Sequence, residues 1–153
     1  MTPSELKLQS LFDEGLGLPP EATDWLLAVW AVFQVFDDVA DGDEVSRADL
    51  HDAIWNTLVR MPSNPFYAAN SGALLPIMAS AILKWVASDD AERAGRADEK
   101  SFVWRASYYD IVLLVVLLTQ GKDAALAKAA VVMSLYGETF EDYRKEFPLC
   151  PTP

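Results

Sequence analysis

Apolar residues recur at intervals of three and four along nearly the whole chain, and nowhere do they alternate with polar ones over the length of a strand. That spacing puts side chains on one stripe of an α-helix, whereas a half-buried strand needs a period of two. The one turn dipeptide, Asp41-Gly42, has a helical pattern on each side, so no hairpin is indicated. The chain is therefore expected to be all-α, a compact bundle of about five to six helices packed on a central apolar one.

The elements follow from start and stop signals. Ser4 can cap a first helix carrying Leu6, Leu8, Leu11 and Phe12, which ends near Gly15 and Gly17. After Pro19-Pro20 a second helix runs from Glu21 to Asp41, with Trp25, Leu26, Val29, Trp30, Phe33 and Phe36 as its apolar stripe and Gly42 as its stop. Ser46 and Asp49 form a capping-box pattern for a third helix that reaches about Arg60. Met61 to Pro65 reads as a break, and a fourth helix is expected from about Ala73 to Ala87, resuming through Asp89 to Ala97. The fifth, residues 99–120, is apolar on nearly all sides from Ile111 and is the predicted centre. A sixth runs from Asp123 to Phe147. One domain, residues 1–147, is expected, followed by a disordered Pro-rich tail at residues 148–153.

Composition then bounds function. A formal charge of −11 repels phosphate backbones and anionic lipid heads, so nucleic acid and membrane surfaces are not expected partners. The apolar run Ile111 to Leu118 is far short of the roughly 20 residues that span a bilayer. The N-terminus lacks the basic start and apolar stretch of a secretory signal, and a cytoplasmic place is expected. Cys150 and His51 are single, which excludes thiolate and paired-histidine metal sites and leaves oxygen ligands. No phosphate-binding glycine loop occurs.

Phe33-Gln34-Val35-Phe36-Asp37-Asp38-Val39-Ala40-Asp41-Gly42-Asp43 is the informative stretch. Gln34, Asp37, Asp38 and Asp41 share one helix face, at the end where the macrodipole is negative. Carboxylates there repel the dipole and one another, and a divalent cation held by them would offset the repulsion. The alternative is a solvated helix end that runs into an acidic turn. The pattern FQxxDDxxD resembles the second aspartate-rich motif of the trans-polyprenyl diphosphate synthases, which are all-helical. By that resemblance Asp37, Asp38 and Asp41 would hold Mg2+, the metal would hold the diphosphate of a substrate, and Gln34 would be a neighbouring pocket residue.

Other polar residues sit in apolar surroundings. Glu138 and Asp142, four apart, are candidates for a second metal-binding side. With Asp37-Asp38-x-x-Asp41 as one helix and Glu138-x-x-Glu141 as the other, the chain also resembles the helical nucleotide pyrophosphohydrolases of the MazG kind, which pair an E-E-x-x-E helix with a later E-x-x-D helix. The alternative is exposed acids that pair with Arg144 and Lys145. Asp110 opens the apolar run and needs a cationic partner, for which Lys84 and Lys100 are candidates. The residue is either half of a buried ion pair or part of a pocket in which Arg105 or Lys84 contacts phosphate. Two functions follow: Mg2+-dependent binding or turnover of a diphosphate compound, or a non-catalytic acidic helical domain that binds protein, including a second copy of itself as a homodimer.

Overall fold

The structure, a computed structural model, describes residues 1–148. They are all-helical, with eight helices and no strand among the described residues. The expected tail falls, at 149–153, outside the described residues. Two compact units emerge from the internal contacts: Met1–Gly72 with Leu118–Gly121, and Ala73–Leu117 with Lys122 onward.

In the first unit, α1 (Pro3–Ser10) is capped by Thr2 and not Ser4, because Thr2 and Glu5 exchange the two hydrogen bonds of a capping box. The chain continues through a π-helical turn, Leu11–Gly15. The long second helix, α2 (Pro20–Asp41), buries Trp25, Leu26 and Val29 of its predicted stripe, with Ala22, Thr23, Leu27, Ala28 and Val32. Trp30 and Phe33 are only half-buried and Phe36 is exposed, because the packed part of the helix is its N-terminal half. Trp25 stacks on Tyr67 at 5.9 Å, and Phe66 meets it edge-on at 6.3 Å. α3 (Arg47–Trp55) starts at the predicted Ser46–Asp49 box and runs on through a π-helical segment, Asn56–Arg60, and one further turn, Met61–Ser63. Polar ties hold these helices: Arg60 pairs with Asp24 at 2.5 Å, and the Asn64 amide donates to the Glu21 carbonyl at 2.9 Å. Gln120 closes the unit by donating to the carbonyls of Leu16 and Gly17 at 2.7 and 3.2 Å.

α4 (Pro65–Arg93) is one continuous helix where two shorter ones are expected. Pro65 starts the helix: it occupies the first helical position, where no N–H is needed, and the Asn64 side chain caps the turn by accepting from Tyr67 N. Pro76 lies inside α4, and the ladder bond it cannot donate is lost at Gly72, which is exposed. By length and composition α4 is also long and apolar enough to cross a membrane, and little of its apolar window is buried.

The second unit holds the rest of α4, then α5 (Glu99–Arg105), most of α6 (Tyr108–Gln120), α7 (Lys122–Met133) and α8 (Phe140–Glu146). The expected helix over 99–120 is broken: α5 and α6 meet at a 50° bend. Ala106 leaves helical geometry there, and the Ser107 hydroxyl donates to the Ala81 carbonyl at 2.8 Å. Tyr108, Tyr109, Ile111, Val112, Val115 and Val116 are buried, whereas Leu113 and Leu114 are half-buried and Leu117 and Leu118, the end of the run expected at the centre, are exposed. The expected helix over 123–147 is interrupted as well, between Met133 and Phe140. Thr139 starts α8 afresh as its cap, its hydroxyl accepting from Asp142 N at 3.1 Å.

Candidate functional site

α2 ends where Gly42 turns left-handed, at φ 78°, and Asp43 N closes back on the Asp38 carbonyl at 2.8 Å. A side chain at that φ is strained, so glycine is required there. Asp37 and Asp38 are half-buried, whereas Gln34, Asp41 and Asp43 are exposed. Partial burial raises the carboxyl of Asp38 above the ordinary aspartate range, and the charges of Asp43, Asp37 and Asp49 add to the rise. Asp49 is fixed opposite by its cap, accepting from the Ser46 hydroxyl at 2.6 Å.

The acidic helix end is therefore a cluster of Asp37, Asp38, Asp43 and Asp49. Sequence spacing finds the first two. Asp43 lies in the same stretch, in the acidic turn, but its action on Asp38, like that of Asp49, depends on the left-handed turn at Gly42 and the α3 cap. Among the described residues no group of three or more carboxylate, histidine or cysteine side chains is disposed to hold a metal ion.

Glu138 and Asp142, the candidates for a second side, belong to the second unit and do not share a helix. Glu138 lies in the α7–α8 connection, accepts from the Tyr136 hydroxyl at 2.5 Å and approaches Arg105 at 3.6 Å. Asp142 is an exposed first-turn residue of α8, 3.9 Å from Lys145. The break between Met133 and Phe140 separates them.

Arg105 is mostly buried and already faces carboxylates of its own chain, Glu92 and Glu138, each at 3.6 Å. Its guanidinium lies over the rings of Tyr143 and Phe147, at 5.2 and 5.6 Å. The fully buried Tyr143 hydroxyl sits 2.6 Å from Ser101 Oγ and donates to Glu92 at 3.0 Å. Burial pushes that hydroxyl up to about 12. Of the two lysines considered for Asp110, Lys84 pairs with it, at 2.5 Å. Beside Lys84 runs an open, mainly apolar groove of about 490 Å³, lined chiefly by Pro76, Ala79, Leu83, Ala87 and Trp104.

One feature absent from the sequence reading lies in the first unit. No residue of α3 is buried. Leu50, Ile54, Trp55 and Leu58 are 44, 59, 62 and 70% exposed along one side of it and its extension. The side facing the protein carries instead the buried Asn56 and the half-buried Ala53 and Arg60. Position by position the spacing of 50, 54 and 58 was legible, but a helical period does not say which side of the helix meets the core. No family model, curated protein or solved structure matches the chain.

Proposed function

We propose that this chain is a helical interaction domain that docks a partner on the outward face of α3. One observation carries the reading: a helix with no buried residue holds Leu50, Ile54, Trp55 and Leu58 in water. Apolar surface left wet forgoes about 25 cal/mol per Å² of stabilisation, and monomers seldom keep large contiguous patches unless something covers them. The test is denaturant unfolding of the Ile54→Ser, Leu58→Ser double variant. Side chains that only await a partner are expected to change the stability of the isolated chain by no more than about 0.5 kcal/mol each. A loss of about 2 kcal/mol or more per site, the cost of truncating a core side chain, would make the face structural and end the reading.

A second reading is Mg2+-assisted binding of a diphosphate compound at Asp37, Asp38 and Asp41, with Gln34 beside them. It is favoured by the repulsion that Asp38 already bears from its neighbours, which a divalent cation would relieve. Binding would have to draw these carboxylates together. Thermal unfolding with millimolar magnesium, and with magnesium plus pyrophosphate, tests it. Specific binding adds about 2.7 kcal/mol at a hundredfold excess over the dissociation constant, and Asp38→Asn is expected to abolish the gain. No shift in the natural chain removes this reading.

A further inference from the structure

Resting on the interaction-domain reading, we infer that the partner is a basic amphipathic helix, whose apolar stripe packs on Leu50, Ile54, Trp55 and Leu58 and whose lysines or arginines meet the acids around α3. The face is about two turns long from Leu50 to Leu58, about 12 Å at 1.5 Å per residue. That length matches a helix presenting apolar residues at i, i+4 and i+7.

Charge selects among occupants of such a face. Seven carboxylates stand against one arginine between Asp37 and Asp52, and Asp38 feels Asp43, Asp37 and Asp49 at once. The α2 end and the α3 start thus form one negative surround. Phe36 and Val39, 58 and 56% exposed, add apolar area at the same acidic end. A second copy of the chain would bring the same acids against these, and a bilayer would bring phosphates. A cationic helix gains from both the stripe and its rim.

The probe is a fluorescent leucine–lysine peptide with leucines at helical spacing, titrated into the full chain. A second peptide of identical composition has its leucines scattered around the helix. The patterned peptide is expected to bind at least about tenfold more tightly than the scattered one. Ile54→Ser with Leu58→Ser is expected to lose at least about tenfold, and raising salt from about 0.05 to about 0.3 M to weaken binding. Unchanged thermal unfolding of the variant shows that the fold is intact. No binding, equal binding of both peptides, or binding indifferent to the double variant overturns the inference. So does sedimentation of the free chain as a dimer that Leu58→Ser dissociates, or uptake of the chain by phosphatidylcholine vesicles through the same face. Those last two outcomes leave the interaction-domain reading standing with another occupant, whereas destabilisation of the isolated chain by the double variant removes that reading itself.

Discussion

Asp38 is half-buried at the negative end of α2, with Asp43, Asp37 and Asp49 nearby, so its ionisation costs the folded chain more than the unfolded one. The sign follows from linkage. A carboxyl raised in the folded state supports folding while protonated, and that support is lost as pH rises through the raised value. Asp38→Asn is therefore expected to stabilise the chain at neutral pH, by a few tenths to about 1 kcal/mol. The gain should shrink as pH falls and vanish below the ordinary aspartate range, about pH 4. Denaturant unfolding across that series checks it, and a gain that persists at low pH would contradict the electrostatic origin. The aspartates at 37, 38 and 41 were readable as a group from their helical spacing. The contributions of Asp43 and Asp49 were not, since both depend on the turn at Gly42 and the cap at Ser46.

At the scale of elements, caps and periods predict helices well where local signals act alone. The span of α2, the start of α3 and the end of α6 at Gln120 lie where the local signals put them. Breaks were harder to read. The bend between α5 and α6 involves a hydrogen bond from Ser107 to Ala81, distant in sequence, and no propensity encodes it. Pro65 reads as a breaker but begins α4, since the Asn64 side chain caps that helix and spans to Glu21. α3 is the element that carries the proposed docking stripe. Its apolar and polar sides are reversed relative to an ordinary surface helix, which is why replacing Ile54 and Leu58 with serine should leave the isolated fold in place while removing its docking stripe.

For the whole molecule, the all-α class was legible because the period holds along almost the entire chain. The division into two units was not. α4 and α6 each contribute residues to both units, and no Gly-, Pro- or Ser-rich linker marks a boundary. A net charge of −11 steers cationic partners towards the protein and slows the approach of like-charged copies. That bias fits a domain that stays open until a basic helix arrives. The central claim is that the α3 face is open in the free chain, and hydroxyl-radical footprinting read at individual tryptophans tests it most directly. In the monomeric chain Trp55 is predicted to be oxidised at close to the rate of a free indole, while the fully buried Trp25 reacts many-fold more slowly. Protection of Trp55 equal to that of Trp25 would show that the chain covers this face itself, and would contradict the account.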